Sequence, residues 1–101
     1  MEYGLSDKTL VTLNAIFMKY PGIKQTVIYG SRAKGNYRAG SDIDLTLMTD
    51  ETFTHTDLLH IARDFDDSNL PYLVDVSIYN KLSNADLKAH IDRAGKILYT
   101  N

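Results

Sequence analysis

The chain has 101 residues, of which 44% are hydrophobic and 24% charged, with no cysteine and a formal net charge of −2 at pH 7. This composition predicts one folded domain over residues 1–101 and excludes disulfides, thiolate metal sites and a cysteine nucleophile. The acidic balance disfavours a nucleic-acid partner, and the lack of a basic leader or of the roughly 20 apolar residues that span a bilayer favours a cytoplasmic protein with no membrane partner.

Hydrophobic periodicity and capping residues predict helices and strands that alternate along the chain, which is typical of the α/β class. No repeat, low-complexity stretch or linker interrupts the pattern. In chain order, the predicted elements are a helix capped by Ser6 and ended by Pro21-Gly22, a strand at 26–29, a short helix opened by Gly30, a strand at 42–48, a helix capped by Thr54, a strand at 72–79, a helix capped by Ser83 and ended by Gly95, and a strand at 96–99.

Three aspartates interrupt two of the most apolar predicted strands. Side chains alternate along a strand, so Asp42 and Asp44 share one face and Asp75 lies on the non-core face of its own strand. Aspartate is depleted in strands, and such a conflict with local preference tends to mark a functional site. Oxygen ligands without a nearby His or Cys suit Mg²⁺ or Mn²⁺, which would imply a phosphate-bearing substrate. The alternative is that all three are turn or solvated strand residues.

The glycine-bracketed turn after the first predicted strand has the features of an anion site. Gly30 carries no side chain that would block a ligand, and Ser31 offers a hydroxyl donor. Arg32, Lys34 and Arg38 add positive charge, so the turn could hold a triphosphate. The alternative is an ordinary capped turn with solvated basic residues. The turn matches neither a Walker A loop nor a dinucleotide-binding glycine motif.

The order and spacing of these motifs are more specific than any one of them. Gly30-Ser31-Arg32-Ala33-Lys34-Gly35, then Ser41-Asp42-Ile43-Asp44-Leu45, then Asp75 in a later apolar strand, resembles the nucleotidyltransferase signature of the DNA polymerase β superfamily. The remaining helices fit its small stand-alone members, the minimal nucleotidyltransferase (MNT) domains. Lys34 stands where the family commonly has Arg, which keeps the charge but loses the planar fork.

The resemblance implies a polymerase β-like palm fold, with a small mixed β-sheet, helices packed on one face and the aspartates on the other. It also implies roles for individual residues. Gly30 and Ser31 would bind the triphosphate of ATP, Asp42 and Asp44 would hold two Mg²⁺ ions, and Asp75 would complete one of the two metal sites and could accept the proton of the acceptor hydroxyl.

Minimal members of this family are typically antitoxins paired with a HEPN-domain toxin, and some of them attach AMP to a tyrosine of that toxin. The resemblance therefore implies transfer of AMP from ATP to a hydroxyl on a HEPN-type partner protein. Two alternatives stay open, namely a binding module that neutralises its partner by contact alone and an enzyme that modifies a small molecule. His55, His60 and His90 lie apart from the motifs and are expected at the surface or in helix packing.

Overall fold

The computed structural model describes residues 2–101, and none of the helices in that range has the length and apolarity that a bilayer crossing requires. A short 3₁₀ turn at Tyr79–Lys81 follows the third strand. The helices and strands are α1 (Asp7–Phe17), β1 (Ile23–Tyr29), α2 (Ser31–Lys34), β2 (Ile43–Thr49), α3 (His55–Asp67), β3 (Val74–Ile78), α4 (Ala85–Ala94) and β4 (Lys96–Thr100).

The four strands form one mixed sheet in the order β3-β2-β1-β4. β1 runs antiparallel to both β2 and β4, whereas β2 and β3 are parallel. In this register Asp44 lies beside Tyr29 on one side and beside Asp75 on the other. The predicted α/β class with a small mixed sheet is confirmed, and the sheet itself brings two of the three aspartates next to each other.

The main core lies between one face of the sheet and the helices α1 and α3. Phe17 of α1 and Phe65 of α3 meet edge to face, with their ring centroids 6.1 Å apart. The residues of β2 that point to this face are fully buried, as the alternation of side chains along a strand requires. They are Ile43, Leu45 and Leu47. This core fixes the orientation of β2 and therefore turns Asp44 to the opposite face.

A fourth helix covers part of the face that carries the aspartates. Val27 and Tyr29 alternate with the core residue Ile28 along β1, and they form a second, smaller cluster with Ile91 of α4. The expected helices on the apolar face are therefore accompanied by one helix on the carboxylate face. The reason is that β1 is apolar on both faces, so a helix has to shield the second one from water.

Helix caps and strand ends agree with the sequence patterns in part. Ser6 and Thr54 cap α1 and α3 as predicted. The cap of α4 is Asn84 and not Ser83, because the Asn84 side-chain oxygen accepts the Leu87 N–H at 3.0 Å. β3 is shorter at both ends than the predicted strand, and β1 begins earlier, at a register irregularity near its start.

Candidate functional site

The candidate site lies at the starts of the parallel strands β2 and β3. Asp44 is half-buried and pairs with Asp75 in the parallel ladder, in which neighbouring strands lie about 4.7–4.9 Å apart. Asp42 directly precedes β2 and, like Asp75, is exposed. The structure thus places the three predicted carboxylates on two adjacent strands, with one of them sheltered and two open to solvent.

The negative charges of the three aspartates repel one another. Burial raises the pKa of Asp44, and the negative charges of Asp75 and Asp42 raise it further, while His90 lowers it. A cation bound here would neutralise that repulsion, and a donor set made only of carboxylate oxygens has the chemistry that Mg²⁺ prefers. Within residues 2–101, however, no three His, Cys, Asp or Glu side chains already converge tightly enough to hold a metal ion.

The glycine turn lies directly against Asp44. Gly30 has φ 75° and ψ −153°, a backbone region that is open essentially to glycine alone. A Cβ atom at this position would overlap the Asp44 carboxylate oxygen Oδ2. Backbone conformation and space therefore both demand glycine, and the contact brings the turn and the carboxylate group into one site.

His90 is a member of this site that the sequence patterns did not reveal. Its Nε2 atom accepts the N–H of Gly30 at 3.3 Å, and its ring meets Tyr29 edge to face with centroids 6.1 Å apart. His90 does pack as part of a helix, as expected, but it also holds the glycine turn. The spacing of three residues between Leu87 and His90 could have shown that His90 faces the sheet. The hydrogen bond to Gly30, 60 positions away in sequence, could not be predicted from any local spacing.

The other polar residues of the turn and of the loop that follows it are at least partly accessible to solvent. Ser31 is half-buried at the first position of α2, and Lys34 and Arg38 are exposed. The ion pairs formed within residues 2–101 involve neither of these two basic side chains. Their charges thus face solvent on the turn that borders Asp44, as a phosphate contact would require.

The sequence suggested that Arg32 contacts a phosphate, but the structure buries its side chain inside the protein. Only 2% of its surface is exposed, and its guanidinium donates to the Ser41 carbonyl at 3.0 and 2.8 Å and to the Tyr3 carbonyl at 2.9 Å. The rings of Tyr72 and Tyr37 lie 4.6 and 5.2 Å from its central carbon. The side chain points into the protein, where it ties α2 to the residue just before Asp42, and its guanidinium donors are already used by backbone carbonyls.

This role of Arg32 predicts the effect of a conservative change. Arg32→Lys keeps the charge but loses the planar fork and the aromatic stacking, so it should destabilise the protein by about 1.5–3 kcal/mol, the range for charged hydrogen bonds. Urea unfolding measures this loss. The matched control is Arg38→Lys on the exposed loop, which should stay within about 0.5 kcal/mol of the unmutated protein. Equal stability of the two variants would contradict the structural role.

Comparison with known proteins decides which family this site belongs to. The sequence profile described as "Polymerase beta, Nucleotidyltransferase" matches residues 12–101. The chain belongs to this nucleotidyltransferase family. The match includes the glycine turn and all three aspartates of the site, and it confirms the resemblance drawn from those motifs. A comparison with curated protein sequences gives no significant match.

Solved structures with a similar fold include chains from several toxin–antitoxin complexes. The chain resembles one in a crystal structure of a toxin–antitoxin complex with AMP-PNP, with a TM-score of 0.74, 19% identity, and coverage of 91% of this chain and 73% of that one. A chain from a mutant MntA–HpeT toxin–antitoxin complex has a TM-score of 0.70 and 18% identity, with coverage of 96% of this chain and 75% of that one. A chain from the complex of a tri-AMPylated Shewanella oneidensis HEPN toxin with MNT antitoxin has a TM-score of 0.63 and 19% identity, with coverage of 90% of this chain and 71% of that one. At these identities the likeness shows the fold, which is the expected one.

Proposed function

We propose that this nucleotidyltransferase domain transfers AMP from ATP to a hydroxyl group on a HEPN-type partner protein. The observation that carries the proposal is the contact between the two halves of the site, in which the Gly30 turn lies against Asp44 and Asp44 lies beside Asp75. A phosphate held by the turn would therefore sit next to the carboxylates. This is the arrangement that transfer at a phosphorus atom needs, because the reaction depends on positioning and on neutralised charge.

The turn would hold the triphosphate with its side chains and with the start of α2. Ser31 would donate its hydroxyl, and Lys34 would add a positive charge from solvent. Gly30 would keep the turn close to Asp44 and would donate nothing to the phosphate, since its own N–H is already donated to His90. The early amides of α2 have no partner within a helix and would complete the contact.

The carboxylates would hold Mg²⁺ or Mn²⁺, with Asp42 and Asp44 shared between two ions and Asp75 completing one of them. Bound ions would neutralise the triphosphate and make the acceptor hydroxyl a better nucleophile. Asp75, which is exposed, would accept the proton of that hydroxyl. Asp44, which is half-buried and lies among negative charges, would serve only as a metal ligand.

The acceptor has to reach this site from outside. Asp42 and Asp75 are exposed, so a side chain of another protein could reach the three aspartates. One of the structural neighbours is a chain from a complex of a tri-AMPylated HEPN toxin with an MNT antitoxin. These observations favour a protein hydroxyl, of the kind a HEPN-type partner would offer, as the acceptor.

A contact-only antitoxin is the second candidate function. In that case the protein would neutralise its partner by binding alone. The two predictions below separate this candidate from the enzyme.

Asp44→Asn should separate folding from ligand binding. The pKa of Asp44 is raised in the folded state, so its stabilising contribution is present at low pH and lost as pH rises through the folded-state pKa. At pH 7 the variant without ligand should therefore be as stable as the unmutated protein or more so, and this advantage should fade in acid. The variant should also lose the stabilisation by Mg-ATP, which is about 2.7 kcal/mol at a hundredfold excess over the dissociation constant.

Thermal melts with and without Mg-ATP measure both effects of Asp44→Asn. The exposed Asp66 near the end of α3 provides the control, since Asp66→Asn removes the same charge away from the site and should keep the Mg-ATP gain. A full Mg-ATP shift in Asp44→Asn would place the metal and nucleotide elsewhere.

Asp75→Asn should separate nucleotide binding from transfer. Asp42, Asp44 and the turn are unchanged, so Mg-ATP should still bind. Loss of a metal ligand and of the candidate base should lower AMP transfer by at least the roughly 10²–10⁴-fold that general base catalysis contributes. The measurement is co-expression with the HEPN-type partner, followed by growth and the intact mass of the partner. If the variant protects cells fully and the unmutated protein adds no AMP, the contact-only function holds instead.

A further inference from the structure

The inner face of α4 carries one polar side chain into an otherwise apolar contact. Ile91 of this helix is buried against Val27 and Tyr29, and Leu87 packs beside them. His90 shares this face because it lies three residues after Leu87, and its ring meets Tyr29 of β1. Its ring is held by packing against Tyr29, so its Nε2 atom has a defined position next to Gly30.

The Gly30 peptide needs such an anchor. Its backbone conformation is accessible essentially to glycine alone, and glycine has more backbone freedom than any other residue. Without a fixed partner, the amide between Tyr29 and Gly30 could rotate and turn the following residues away from the carboxylates. The hydrogen bond to His90 is the contact that fixes the direction of the Gly30 N–H.

We propose that His90 is a positioning residue, which fixes the glycine turn through the Gly30 N–H so that the Ser31 side chain faces the nucleotide. The proposal rests on the proposed nucleotide site and adds a structural requirement for it. His90 acts through Gly30 and touches neither phosphate nor metal.

The proposal also changes how the anion site is built. A glycine at the end of a strand is expected to offer its own N–H to a phosphate. Here that N–H is directed at α4, so the site has to begin at the next residue, Ser31. A helix that is 60 positions away in sequence thereby sets the orientation of the turn.

Two substitutions at His90 test the idea. His90→Leu removes the acceptor but keeps an apolar side chain against Tyr29. His90→Gln retains an acceptor that can reach about as far as Nε2. His60→Leu serves as the matched control, because His60 is exposed on α3 and lies apart from the turn. Urea unfolding of all three variants establishes that each one folds.

The first measurement is hydrogen exchange of the Gly30 amide by NMR in the protein without nucleotide. His90→Leu should speed exchange by about 2- to 10-fold, the range expected for one hydrogen bond. His90→Gln should restore the slow rate, and His60→Leu should leave it unchanged. An unchanged rate in His90→Leu, or a fast rate in His90→Gln, would overturn the proposal.

The second measurement is the affinity for Mg-AMP-PNP, followed by the KM for ATP and the kcat of AMP transfer. His90→Leu should weaken binding and raise KM by about 2- to 10-fold, with a smaller effect on kcat, and His90→Gln should recover within about twofold. Equal affinity of His90→Leu and the unmutated protein would overturn the proposal. If the unmutated protein binds no Mg-AMP-PNP while Gly30 exchange responds as expected, the proposed function fails and the anchoring of the turn stands.

Discussion

The half-buried carboxylate of Asp44 is the constraint on which the site depends. The apolar core opposite β2 forces this side chain to the other face, where Asp75 lies beside it and Gly30 lies against it. Burial and the neighbouring charges raise its pKa, so the ionised form is disfavoured, and a bound cation would relieve that cost. In the proposed site, the stability of the protein without ligand and its affinity for a metal ion would therefore oppose each other at this residue.

Two contacts, one from the buried Arg32 and one from the half-buried His90, hold the rest of the site around Asp44. Arg32 uses three hydrogen-bond donors on backbone carbonyls and so joins α2 to Ser41, the residue before Asp42. His90 joins α4 to Gly30 from the other side. In sequence, the glycine motif resembles a set of phosphate ligands. In the structure Arg32 has a structural role, and Ser31 and Lys34 are the residues that we propose as phosphate contacts.

Local patterns predicted the parts of the fold that depend on local physics. The alternation of side chains along a strand placed Asp42 and Asp44 away from the core, and side-chain oxygens at Ser6 and Thr54 marked helix starts. The direction of Arg32 and the partner of His90 could not be predicted, because both depend on tertiary packing. Asn84 and Ser83 are both good caps, and only the fold decides between them.

The fate of the phosphate groups of ATP tests the central claim most directly. The protein, Mg²⁺ and a purified HEPN-type partner are incubated with ATP that is labelled at either the α- or the γ-phosphate. Nucleotidyl transfer predicts that the α label stays on the denatured partner and that the γ label leaves with pyrophosphate. Neutralisation of the partner without any α label, or labelling from the γ-phosphate, would contradict the account.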